Sequence, residues 1–159
     1  MFGRKEEKPK EPTSPEKVVS VIKTALDSKN FKYRYDEDEH VFITSFMGDD
    51  LPIGTTIRVL KGVIHYMCLL DLKASPDNYS KVAWELNCIN KKLMFGAFVL
   101  DPDDGMISFE YGYPFVEADV SPEFILYFTK SMVDTVDEYD GSLKKLAEYS
   151  KRDIDAMYG

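Results

Sequence analysis

The residues best suited to binding a metal ion lie in two acidic loops. Residues 101–105 read Asp-Pro-Asp-Asp-Gly, and residues 36–40 read Asp-Glu-Asp-Glu-His. A calcium-binding loop places acids at positions one, three and five before its glycine, but with Gly105 at position six, position one is Leu100. Four acids before a single histidine are more typical of a solvated hairpin tip. We therefore expect two turns and no metal site.

The residues able to act as nucleophiles or bases are few. The chain has two histidines, His40 and His65, and two cysteines, Cys68 and Cys88. They do not have the spacing of a zinc site, a CxxC motif or a cysteine–histidine dyad, and the sequence has no glycine-rich phosphate loop. His65 lies inside an apolar run, which favours a hydrogen-bonded structural role. We expect no catalytic residue and no bound cofactor, so the protein is not predicted to be an enzyme.

The composition is that of one globular domain in a reducing compartment. With 159 residues, of which 44% are hydrophobic, the chain is long enough to bury its own core, and both cysteines lie in apolar segments, as free cysteines do. Its formal net charge of -8 opposes binding to nucleic acid. The longest apolar run, residues 63–72, is half the ~20 residues that a membrane helix needs. We expect a cytoplasmic protein without a membrane or nucleic-acid partner.

Three serine-proline-acid triplets, which begin at Ser14, Ser75 and Ser121, indicate helix starts. In each triplet the serine hydroxyl can accept a hydrogen bond from a free amide, and the proline suits the first helical position. The acid faces the positive end of the helix dipole. Because an apolar stripe with helical spacing follows each triplet, we expect Ser75 and Ser121 to be helix caps.

Strand-like segments separate these helices. Short alternating runs are divided by acidic or glycine-containing turns, which is the pattern of an antiparallel sheet. After Ser121 an apolar stripe runs as far as Asp140-Gly141, where we expect a break and then a further helix. The predicted fold is α+β, with an antiparallel sheet packed against helices in the order α-ββββ-α-ββ-α-α. Residues 1–13 are predicted to be a disordered charged tail, and residues 14–159 a single domain.

One part of the sequence resembles a known family. Residues 84–90 read Trp-Glu-Leu-Asn-Cys-Ile-Asn, residues 95–101 read Phe-Gly-Ala-Phe-Val-Leu-Asp, and Gly105 and the Ile-Ser-Phe of residues 107–109 follow. This pattern is similar to that of the YbjN family, whose fold resembles that of the type III secretion chaperones. The resemblance covers roughly residues 14–139. It implies a chaperone-like fold and an interaction protein of the sensory-transduction type without a catalytic motif.

The helix that follows Ser75 carries a polar residue on its apolar face and an aromatic residue on the opposite face. Asn90 lies among the apolar side chains that face the sheet. A buried amide must be hydrogen-bonded, so we expect Asn90, with Asn87 of the same motif, to play a structural role by tying down a neighbouring loop or strand end. Trp84 and Cys88 point the opposite way. We expect another helix of the chain or a second subunit to bury them.

The helix that follows Ser121 is apolar on every side of its first turns. Residues 124–128 read Phe-Ile-Leu-Tyr-Phe, so one face can meet the sheet while the other needs a cover. The final helix, residues 142–157, can supply that cover within the chain, or the surface can remain an exposed groove. Phe124 and Tyr127 therefore join Trp84 and Cys88 as candidate interface residues.

Two functions fit these expectations. The first is a non-enzymatic, chaperone-like or regulatory module that binds a partner polypeptide on an apolar surface and forms a homodimer. The alternative is a sensor domain that accepts a small apolar ligand between the sheet and the helices. A ligand-dependent rise in melting temperature without any protein partner would favour the sensor.

Overall fold

The six β-strands form one antiparallel sheet. The computed structural model describes residues 13–115 and 119–158, with side chains as far as residue 147, so the predicted tail lies outside the described residues except for Thr13. The strands lie in the spatial order β1-β2-β3-β4-β6-β5, and β1 and β5 are the edges. Their bounds are β1 (Arg34–Asp36), β2 (Val41–Met47), β3 (Pro52–Leu60), β4 (Val63–Lys73), β5 (Ala97–Leu100) and β6 (Met106–Pro114).

Helices cover one face and one edge of this sheet. They are α1 (Pro15–Ser28), α2 (Tyr79–Asn90), which a short 3-10 turn (Pro76–Asn78) precedes, and α3 (Pro122–Tyr158). α1 and α3 pack side by side on the sheet, and α2 runs along β5. None of the helices, in the part of the chain that the structure describes, is long and apolar enough to cross a membrane. The predicted α+β fold is confirmed.

Strand register places the apolar side chains on the face under the helices. Ile57 of β3 pairs with Tyr66 of β4, and both are fully buried. The ring centroid of Phe128 in α3 lies 4.9 Å from that of Tyr66, so α3 packs directly on this face. Lys61 and Gly62 join β3 to β4 in a two-residue turn, with Gly62 at a φ of 81° that favours glycine.

Two of the three serine-proline-acid triplets cap helices as expected. Ser14 accepts a hydrogen bond from the backbone N–H of Lys17 at 3.2 Å, and Ser121 accepts one from that of Phe124 at 3.1 Å. The prediction is wrong for Ser75. It precedes the 3-10 turn rather than an α-helix, and its hydroxyl is buried without a hydrogen-bond partner among the described residues.

The difference between these serines predicts a difference in stability. Ser121→Ala should lower the free energy of unfolding by about 1 kcal/mol, because one amide at the helix start loses its acceptor. Ser75→Ala is the matched control and should change it by less than about 0.5 kcal/mol. Urea denaturation measures both variants. If both variants lost the same free energy of unfolding, the Ser121 hydroxyl would not act as a cap that the Ser75 hydroxyl does not provide.

α3 is one continuous helix, and the predicted break at Asp140-Gly141 is wrong. A glycine in a helix interior costs only about 1 kcal/mol relative to alanine, which tertiary contacts can offset. Here a Cβ atom on Gly141 would lie 2.6 Å from Asp50 Oδ2, so the glycine permits a close approach between α3 and the loop that joins β2 to β3. The glycine therefore serves a tertiary contact and does not end the helix.

Two carboxylates of α3 bind the backbone of the β2–β3 loop. Asp140, which is 1% exposed, accepts hydrogen bonds from the N–H groups of Asp50 and Leu51 at 3.3 and 3.2 Å. Asp137, one turn earlier, accepts one from Asp49 at 2.6 Å. These bonds join the β2–β3 hairpin to the middle of α3.

Removing the buried carboxylate should weaken the fold. Asp140→Ala leaves two loop amides without their acceptor and should lower the free energy of unfolding by about 2 kcal/mol. Asp137→Ala, whose bond is solvent-exposed, should cost less than about 1 kcal/mol. Chemical denaturation monitored by circular dichroism compares the two variants. A larger loss for Asp137→Ala would mean that the exposed bond holds the loop.

Candidate functional site

α2 fully buries few of its residues, and its most specific bond to the sheet is made by a side-chain amide. Only Val82 and Leu86 are buried among the residues of this helix. The Asn90 side chain donates to the carbonyl oxygen of Phe98 at 3.0 Å and accepts from the N–H of Phe98 at 2.8 Å. It therefore bonds both backbone groups of one edge-strand residue, as a residue of a neighbouring strand would. α2 closes part of the free edge of β5 in this way.

The residues that resemble the YbjN pattern build this attachment. Gly96 has a φ of 71°, and a Cβ atom there would lie 2.5 Å from Cζ of Phe109. The rings of Phe98 and Phe109 pack with their centroids 4.8 Å apart. Gly96 thus lets the chain pass closely over Phe109 before it enters β5. Asn87 differs from Asn90, because its side chain is exposed and lines a groove between α2 and β5.

The tryptophan of the chain lies on the side of α2 that faces away from the core. Trp84 is 65% exposed, and Cys88, one turn later, is also exposed. The described side chains of the same chain leave Trp84 exposed. With Ala83 and Asn87, which are exposed as well, these residues form the outer α2 face.

A groove of about 500 Å³ separates the outer α2 face from β5. Ala83 and Asn87 line one wall, and Val99, which is 37% exposed, lines the other. Sequence reasoning misses two of these residues. The helical period places Ala83 toward the sheet, and an alternating strand pattern does not reveal that Val99 belongs to an edge.

Phe124 and Tyr127, the other candidate interface residues, have different surroundings. The ring of Phe124 lies 4.6 Å from that of Tyr113 and 5.5 Å from that of Phe128, so it belongs to an aromatic cluster within the chain. Tyr127 is 69% exposed. The expected cover by residues 142–157 is wrong, because that segment continues α3 and does not fold back.

Among the described residues, His40 Nδ1 is hydrogen-bonded to the Tyr35 hydroxyl at 2.9 Å, and His65 is not arranged to activate a serine. His65 Nε2 lies 3.4 Å from Glu110 Oε2, and Ser108 donates its hydroxyl proton to Glu110 Oε1 at 2.8 Å. The carboxylate therefore lies between the hydroxyl and the imidazole, whereas a serine nucleophile needs the imidazole beside it. Burial raises the pKa of the Cys68 thiol to about 11, which favours the unreactive protonated form.

The acidic loops use their carboxylates to bind their own backbone. Asp36 Oδ1 accepts from the N–H groups of Asp38 and Glu39, both at 3.1 Å. Asp101 accepts from the N–H of Asp103 at 2.8 Å in the other loop. Over the residues that the structure describes, no group of three or more His, Cys, Asp or Glu side chains is placed to hold a metal ion. Both acidic loops are therefore turns whose carboxylates bond to backbone N–H groups of the same loop.

The fold and the site define a class of protein: a two-layer α+β domain whose edge strand β5 is joined to a helix by a side-chain amide. A family model for YbjN, described as a "Putative bacterial sensory transduction regulator", matches residues 19–145. The chain belongs to the YbjN family. Its α3 helix continues beyond the matched segment, to Tyr158.

Comparison with solved structures agrees with this assignment. The chain is similar to the crystal structure of YbjN from E. coli, described as a putative transcription regulator, with a TM-score of 0.59 and 14% sequence identity. The match covers 78% of this chain and 92% of that chain. At this identity the likeness shows the fold alone. No curated protein matches the chain.

The attachment of α2 can be tested with two asparagines of the same helix. Asn90→Ala should lower the free energy of unfolding by about 2 kcal/mol, because two hydrogen bonds to Phe98 are lost. The exposed Asn87→Ala is the control and should change it by less than about 0.5 kcal/mol. Urea denaturation measures the free energy of unfolding of both variants. If the two variants were equally stable, the Asn90 amide would not hold α2 to β5.

Proposed function

We propose that this protein is a non-catalytic, chaperone-like regulatory module of the cytoplasm that acts by binding other polypeptides. We further propose that two copies associate through the outer α2 face. The description of the YbjN family as a regulator supports a regulatory role. The formal net charge of -8 argues against nucleic acid as the partner. The observation that carries the proposal is the exposure of Trp84.

The indole of Trp84 presents a large apolar ring to solvent, which a partner surface could cover. Trp84 is 65% exposed, and a fully buried aromatic side chain removes about 150–250 Å² from water. Tryptophan is also enriched among the residues that dominate binding energy at protein interfaces. On the outer α2 face the small side chains of Ala83 and Cys88 lie beside the Trp84 ring, and the charged Lys81 and Glu85 flank it.

The groove beside the outer α2 face suits a second copy of the same surface. In a two-fold dimer each patch meets itself, so the Trp84 ring of one copy can enter the groove between α2 and β5 of the other. That groove offers about 500 Å³ and the partly exposed Val99. Because Asn90 bonds α2 to β5, the Trp84 ring and the groove between α2 and β5 keep a constant separation within one copy. This reduces the conformational entropy that is lost on association.

One substitution tests this assembly. Trp84→Glu should give a folded monomer, because two carboxylates would be buried together if the dimer formed. The unchanged protein should be a dimer in sedimentation analysis, and its tryptophan emission should shift to the red on dilution through the dissociation constant. Tyr127→Glu is the matched control, since that aromatic side chain is as exposed as Trp84 but lies on α3.

Two results would count against the homodimer. If the unchanged protein sedimented as a monomer at all concentrations, the outer α2 face would be free or would bind a different polypeptide. Affinity capture with the unchanged protein and with Trp84→Glu separates these cases, because only a polypeptide that docks on this face would be lost with the substitution. If Tyr127→Glu and not Trp84→Glu dissolved the dimer, the interface would lie on α3.

A further inference from the structure

A second groove, of about 450 Å³, opens on the helical side of the domain where α1 ends. Its apolar lining comes from three elements that are distant in sequence. Phe31 follows α1, Phe46 is the penultimate residue of β2, and Leu126 and Val133 belong to α3. A volume of this size lies within the range of about 300–1,000 Å³ that small-molecule sites occupy, and such sites are mostly apolar with a few polar groups.

The groove exists because α1 stops before it covers β2. α1 ends at Ser28, and Asn30 then takes a φ of 55° that turns the chain toward β1. Phe31 and Phe46 pack edge to face with their ring centroids 5.3 Å apart at the base of the gap. Tyr127 lines the groove and is 69% exposed. The gap therefore has an aromatic base and an open side.

The charges that line the groove favour an anion. Lys130 is paired with Asp134, and Lys29 adds a further positive charge. The groove therefore carries a net charge of +1 on a chain whose formal charge is -8. This local excess attracts a negative group to a place where the rest of the molecule repels it.

We propose that this groove binds an amphiphile made of an unbranched apolar chain and a carboxylate. The chain lies on Phe31, Phe46 and Leu126, and the carboxylate pairs with Lys29 at the open side. This site goes beyond the proposed association through α2 and does not depend on it.

Decanoate, used below its micelle concentration, tests the proposal with the full chain. Isothermal titration should show saturable binding of one decanoate per chain, and saturating decanoate should raise the melting temperature. Lys29→Glu should weaken binding about tenfold, because an attraction is replaced by a repulsion. Tyr127→Asp should also weaken it. Lys92→Glu, an exposed lysine outside the groove, is the matched control and should leave the affinity unchanged.

Several results would overturn the proposal. If decanoate does not bind, or binds without saturation, the groove does not receive it and the site is rejected. Equal affinity for decanoate and decanol, or an unchanged affinity in Lys29→Glu, rejects the carboxylate. A change of sedimentation mass in Tyr127→Asp would show that a second copy of the chain fills the groove. Lys29 and Tyr127 are exposed, so both variants should fold.

Discussion

The position of α2 depends on the two hydrogen bonds between the Asn90 amide and the backbone of Phe98. The helix fully buries only Val82 and Leu86, with Tyr79 and Ile89 partly buried beside them, so the amide adds a directional bond to a narrow apolar contact. A rotation by one residue position, about 100°, would bring a different set of side chains to the surface. The amide therefore determines which residues form the outer α2 face, and any function of that face rests on it.

The sequence predicts the elements whose signals are local. The hydroxyls of Ser14 and Ser121 and the glycine of the Lys61-Gly62 turn act on backbone groups within three residues, so their roles follow from residue type and order. Gly141 shows the limit of such reasoning. A glycine can end a helix or permit close contact, and only the arrival of Asp50, about 90 residues away, decides between these roles.

The candidate surfaces can be predicted from the sequence only in part, because they depend on contacts between residues that are distant in the chain. That Asn90 would be hydrogen-bonded follows from a polar residue in an apolar stripe, and that Trp84 points away from the core follows from helical spacing. The exposed fraction of Trp84 does not follow, because it depends on which other elements reach α2. The groove at the end of α1 is not readable at all, since Phe31, Phe46 and Leu126 come from three separate segments.

The contact of Asp140 with the β2–β3 loop joins residues that a ribosome makes far apart in time. All six strands precede α3 in the chain, and α3 supplies Phe128 and Met132 to the buried face of the sheet. At about 5–20 residues per second, part of the apolar sheet face, beside α1, waits several seconds for its cover while α3 is synthesised. The β2–β3 loop receives its Asp140 acceptor only at the end of that interval, so this hairpin is fixed after the rest of the sheet has been made.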